Sequence, residues 1–197
     1  VVFVALLIGI MFHVERYENM DFNRFQDIMD TIRYSNMSFQ EFLSDDSNLL
    51  KWLNRTLPYM YSFDLLIFLI SKCFENNYVM VWVSIIIDYA IIAYIAYDWR
   101  RDSRYRNKEV VLSILACFAL LPMIHACSGL RTATSACFMS LAIYKFLYRN
   151  KNWLIFALYC AIAITFHPAT LMAVPIAVAI KVSPRKIVFY ITLLGCL

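Results

Sequence analysis

At 197 residues the chain could hold one or two soluble domains, yet 62% of it is apolar and only 16% charged, against roughly 45–50% and about 25% in an average globular chain. A soluble domain of this size cannot bury so much apolar surface; mean hydropathy is +0.63 and the solvent is lipid, while three glycines and five prolines leave little room for disorder, collagen or a glycine-rich phosphate loop. The net charge of +4 is modest and unevenly spread, which gives no support to nucleic-acid binding and makes the placement of the positive loops the informative quantity.

In chain order, Val1–Phe12 and Ile187–Leu197 are apolar runs too short for the roughly 20 residues of a span. They read as partial spans of a longer polytopic protein, the first alternatively as a signal-peptide remnant. Residues 13–56 carry five basic and eight acidic side chains, a mixed loop expected on the outer face. Within it Phe22, Phe25, Met29 and Ile32 recur at helical spacing, and Ser38-x-x-Glu41 has the form of a capping box. Short amphipathic helices are expected there, on the membrane or packed as a lid. Residues 57–74 have a short apolar core, Leu65–Ile70, between Asp64 and Lys72, and read as a re-entrant segment or a short span.

Residues 78–97 form a full span whose one charge is Asp88. The following stretch Trp99–Lys108 holds five positives in ten residues and is expected to be cytoplasmic. Val110–Tyr144 then runs 35 residues with Arg131 as its one charge, and after Lys145, Arg149 and Lys151 comes Asn152–Ile180, 29 residues with His167 as the one titratable group. Lys181, Arg185 and Lys186 close that stretch. If all three basic clusters are cytoplasmic, each apolar stretch leaves and returns. At 1.5 Å per residue, 35 residues make about 52 Å of helix, too long for one crossing of a core about 30 Å thick. Spans are therefore expected at about 110–129, 132–148, 152–166 and 168–181, with turns near Ser128-Gly129 and His167-Pro168. A single kinked helix over 152–180 is the competing reading. The fold class is all-α, a polytopic transmembrane helical bundle with an external loop of short amphipathic helices.

Ionisable groups inside spans are costly and point to function. Arg131 offers five fixed donors and a permanent charge, suited to phosphate or carboxylate; the alternative is an arginine snorkelling to outer headgroups or paired with an external acid. His167 suits acid, base or donor work near neutral pH, or caps the helix break. His125 reads as a packed histidine, and His13 opens the external loop. A mid-span carboxylate such as Asp88 must be paired, protonated or facing a cavity. The six cysteines lie in or beside apolar stretches without C-x-x-C spacing, and read as small buried hydrophobes. Asn36-Met37-Ser38 and Asn54-Arg55-Thr56 match the glycosylation sequon, a pattern common by chance. No metal-ligand cluster is visible and no cofactor is expected.

Three segments taken in order carry a resemblance. Arg16-Tyr17-Glu18-Asn19-Met20-Asp21-Phe22-Asn23-Arg24-Phe25, Gly129-Leu130-Arg131-Thr132-Ala133, and Ala163–Leu171 around His167-Pro168 followed by Val174-Pro175 resemble the EpsG-type, O-antigen-polymerase-like (Wzy-like) membrane proteins of bacterial polysaccharide clusters. Phe25 stands where tyrosine is usual, and Thr132 where glutamine commonly follows the arginine. The resemblance spans most of residues 13–181.

It implies a polysaccharide polymerase-type glycosyltransferase, an enzyme acting on polyprenyl-diphosphate-linked saccharide at the outward face of the bacterial cytoplasmic membrane, with the lipid bilayer and other polysaccharide-assembly proteins as partners. On that reading Arg131 and Arg16 contact the diphosphate, while His167 or Asp21 orients or deprotonates the acceptor, and the external loop covers the substrate. A rival reading is a transporter or flippase for an anionic lipid-linked substrate, coupled through Asp88.

Overall fold

The structure, a computed structural model, describes Ile10 and residues 21–44, 61–102 and 129–182. Arg16, His13, His125, the expected span 110–128, the run 187–197 and, apart from Ile10, the run 1–12 lie outside the described residues. Among the described residues the fold is all-α, with seven α-helices and no strand. They are α1 (Asp21–Tyr34), α2 (Phe39–Ser44), α3 (Tyr61–Cys73), α4 (Val79–Asp102), α5 (Leu130–Ile143), α6 (Trp153–Phe166) and α7 (Ala173–Val182). A π-turn at Tyr144–Tyr148 continues α5, and a 3-10 turn at Pro168–Met172 leads into α7. Among these helices α4 alone is long and apolar enough to cross a membrane; Trp153–Phe166 and Pro168–Val182 are shorter apolar helices.

The helical repeat in the external loop is the face by which α1 packs. Phe22, Phe25, Met29 and Ile32 are all fully buried, against Phe63, Ile67 and Ile70 of α3 and Met80, Val81 and Ile85 of α4. Burying such a side chain is worth about 1.5–3 kcal/mol, so this stripe alone commits α1 to the bundle. Arg33 fixes its end, donating to Asp30 (2.8 Å), to the Phe74 carbonyl (2.9 Å) and to Asn77 Oδ1 (2.8 Å). Asn36 ends the segment in the left-handed region at φ 49°, where asparagine is tolerated better than most residues. The capping box then opens α2: Ser38 N–H and Oγ–H both donate to Glu41 at 2.7 Å, and Glu41 N–H returns to Ser38 Oγ at 3.3 Å. These two bonds from Ser38 hold the exposed Glu41 carboxyl below its ordinary value of 4.5.

Helices α4 and α5 lie parallel and in constant register. Asp88 lies beside Thr134, Ile91 packs with Cys137 and Leu141, and Tyr144 donates to Asp98 at 3.2 Å. Asp102 and Gly129 thus lie at opposite ends of the pair. Helix α6 is antiparallel to α5: Ser135 meets Ala163, Met139 meets Cys160, and Phe146 stacks on Phe156 and meets Trp153 edge-on. The chain reverses once more at His167, because Lys181 at the end of α7 donates to the Phe146 carbonyl at 2.9 Å and to Asn150.

This return gathers the positives at one end. Arg149 Nε donates to Asp98 at 2.7 Å and its NH2 to the Asp98 carbonyl at 2.7 Å, while Lys145 stands 3.8 Å from the same carboxylate and donates to Tyr94. The π-turn makes room for this, with Asn150 at φ 49° turning the chain and Asn152 Oδ1 capping α6 at Ile155 N–H (3.0 Å). Of the described cysteines, Cys137 and Cys160 are buried among apolar groups as read from the sequence, and Cys73 is exposed.

Candidate functional site: the Arg131–His167 layer

At the end of the bundle opposite the Asp98 cluster, α5 begins at Gly129, which has no side chain to cap it, and among the described residues no other side chain does so. The first-turn N–H groups of a helix lack intrahelical partners and carry partial positive charge. Arg131, in that first turn, adds a full positive charge where the helix field already disfavours one. Together they make the field of an anion site.

Two helices flank the arginine, and a third joins them. From α1, the Phe25 ring lies under the guanidinium, 5.8 Å from its carbon to the ring centroid. From α3 comes Asp64, a buried carboxylate that feels the field of Arg131. Phe63 joins the two sides, edge-on to Phe25 at 4.9 Å and to Phe166 of α6 at 6.5 Å. Ser62 and Thr165 share a hydroxyl–hydroxyl bond of 2.7 Å, which ties the start of α3 to the end of α6.

His167 completes the layer. It is extended at φ −154°, ψ 110°, ending α6 and opening the 3-10 turn, and its Nδ1 accepts from Ala169 N–H at 3.2 Å. The neutral ring therefore carries its hydrogen on Nε2, the end fitted to donate. Of the two sequence readings the structure shows the cap: the histidine side chain closes the break. At the break the Ala163 carbonyl accepts from His167 N–H at 3.0 Å and the His167 carbonyl from Thr170 N–H at 3.2 Å, and α5 adds a hydroxyl to both. Ser135 Oγ lies 2.6 Å from the Ala163 carbonyl, 3.3 Å from that of His167 and 3.0 Å from Thr170 Oγ1, which itself donates to the His167 carbonyl at 2.8 Å. Ser135 is one turn along α5 from Arg131 on the same face, so the α5–α6 register puts Arg131 level with His167.

The four residues singled out from the sequence thus fare differently. Arg131 and His167 come to one layer. Asp21 is the first residue of α1, one turn before Phe25, and Arg16 lies outside the described residues. Thr132 is exposed and takes no part in the layer. Ser135 reaches the Ala163 and His167 carbonyls of the neighbouring helix. Asp64, the flank of an apolar core in the sequence, is not among the expected site residues, although the rule that singles out Arg131, an ionisable group within an apolar run, applies to it as well. Asp88 is fully buried, and neither of its oxygens completes a hydrogen bond although Thr134 stands beside it. Among the described residues no three His, Cys, Asp or Glu side chains gather as a metal would require.

No curated protein and no solved structure matches the chain. All three segments that resemble the O-antigen-polymerase-like proteins reach this one layer, through Phe25, Arg131 and His167. The EpsG family model matches residues 1–197, and the chain belongs to the EpsG family, which is linked to exopolysaccharide biosynthesis.

Proposed function

We propose that the protein is a membrane-embedded, polymerase-type glycosyltransferase that joins sugar units carried on polyprenyl diphosphate, on the outward side of the bacterial cytoplasmic membrane. The observation that carries this reading is the placing of Arg131 in the first turn of α5, whose N-cap Gly129 has no side chain, level with His167 and over the Phe25 ring. A diphosphate leaving group requires neutralisation, which an arginine and helix N–H groups supply without a metal. Arg131, with Arg16 of the external loop, holds the diphosphate; His167, donating from Nε2, orients the sugar.

The bundle supports the matching topology. The parallel run of α4 and α5 calls for a returning crossing between them, and the reversal at His167 keeps Lys181 beside Lys145 and Arg149, the basic side expected in the cytoplasm. Helix α3, 13 residues or about 20 Å long, starts at the Arg131 layer and ends beside Arg33 on α1, which suits a re-entrant helix entering from outside. Helix α1 then roofs the site.

In cells making the polymer, Arg131→Ala and His167→Asn are expected to leave single repeat units on lipid and no long chains. Asparagine keeps an acceptor for Ala169 N–H, so the second variant removes the imidazole while retaining the cap. The transporter reading draws on the buried Asp88: normal chains in both variants, with loss of all surface polymer in Asp88→Asn, would replace glycosyl transfer by transport.

A further inference from the structure

We propose that Asp64 is the proton acceptor for the incoming sugar hydroxyl, an inference that rests on the glycosyl-transfer reading of the Arg131–His167 layer. A general base needs a vacant lone pair within the site. His167 has spent its Nδ1 lone pair on Ala169 N–H, and its other nitrogen carries the hydrogen. Asp64 differs. It is 7% exposed, and its carboxylate makes no hydrogen bond to another described residue, yet its oxygens are not among the fully enclosed polar atoms that lack a partner. The carboxylate therefore keeps open lone pairs on accessible surface.

The level of its helical turn follows from its neighbours. Ser62, two residues before it, is bonded to Thr165, two residues before His167. Phe63 packs on both Phe25 and Phe166, and Arg131 supplies the nearby positive field. A buried carboxylate without hydrogen bonds is costly, and a structural role normally comes with the bonds that offset it, as at Asp98. Asp64 retains the cost with its acceptor capacity unused.

The step balances within the site. The acceptor oxygen forms a bond to the anomeric carbon as the bond from that carbon to the diphosphate oxygen breaks. The electron pair leaves with the diphosphate, held by Arg131, and the acceptor proton passes to an Asp64 oxygen. Asp64 then returns its proton to water.

The full-length protein in its producing cells, with Asp64→Asn, Asp64→Glu and Arg131→Ala introduced singly, tests this. Polymer length is read on gels, and purified protein is assayed for thermal protection by farnesyl diphosphate as a probe. Asp64→Asn is expected to lower polymer at least 100-fold at equal membrane level while binding the probe as tightly as the parent or more tightly, since a negative charge beside the diphosphate is gone. Asp64→Glu, which keeps the base on a longer arm, is expected to restore part of the polymer. Full-length polymer from Asp64→Asn overturns the proposal, as does loss of probe binding in that variant, the mark of a residue that only positions Arg131. Failure of glycosyl transfer itself looks different: Arg131→Ala would make normal chains, or the parent would show no protection by the probe.

Discussion

The two ends of the α4–α5 pair solve the same electrostatic problem in opposite ways. At the basic end Asp98 accepts from Arg149 at 2.7 Å and Tyr144 at 3.2 Å with Lys145 at 3.8 Å, and Arg149 also closes on the Asp98 carbonyl. At the other end Asp64 has Arg131 in its field and no hydrogen bond among the described residues. Charge-assisted bonds of the first kind consume the acceptor's lone pairs. A closed cluster is a joint between helices, and an open one leaves capacity for a ligand.

Substitutions can break that contrast. The largest effect is expected from Phe25→Ala, which empties a fully buried position and uncovers Arg131. Thermal or urea unfolding in detergent should register about 3–5 kcal/mol, and polymer per folded molecule should fall too. Full activity in the surviving molecules would mean that α1 is no roof of the site. Arg149→Ala should cost about 1.5–3 kcal/mol, the range for hydrogen bonds to charged groups, with polymer per folded molecule unchanged; a variant that folds normally but makes short chains would transfer function to the basic end. Ser135→Ala should cost about 1 kcal/mol and raise hydrogen exchange at His167 and Ala169, since it removes the clamp on the break. Unchanged exchange there would show that Thr170 holds the break unaided.

The smallest effect belongs to Glu41. Its folded-state value is depressed, so its contribution to the start of α2 is present above the ordinary carboxylate value of 4.5 and fades as pH falls below it. Relative to the intrinsic rate, hydrogen exchange across Phe39–Phe42 should quicken over that fall in the parent and be independent of pH in that range in Glu41→Gln, whose amide oxygen accepts without titrating. An unchanged rate in the parent would show that the box contributes nothing to α2.

Local and periodic features were legible in the sequence. The α1 stripe, the capping box and the His167-Pro168 break each depend on neighbours within a few residues, and each stands as read. The isolation of Arg131 and His167 within long apolar stretches makes them site candidates, because lipid makes lone polar groups expensive, and the structure brings the two to one layer. What was not legible depends on register between helices. Phe25 under Arg131, Ser135 on the Ala163 carbonyl, and Asp64 in the field of Arg131 all require knowing how the helices pair. The pairing of Arg149 with Asp98, 51 residues earlier, is hidden for the same reason.

The register of α4 and α5 also sets an order of events during synthesis. Thr134, the polar neighbour of Asp88, lies 46 residues downstream, so at about 5–20 residues per second it is made roughly 2–9 seconds after Asp88. Until then α4 presents a carboxylate to lipid with no polar side chain of α5 beside it. A mid-helix Asp costs about 2.5–3.5 kcal/mol on insertion scales, and isoleucines such as Ile85, Ile86, Ile87, Ile91 and Ile92 return about 0.3–0.6 kcal/mol each. The dense isoleucine run around Asp88 thus serves the nascent helix before it serves the finished bundle: it lets α4 enter the membrane early and wait for its partner.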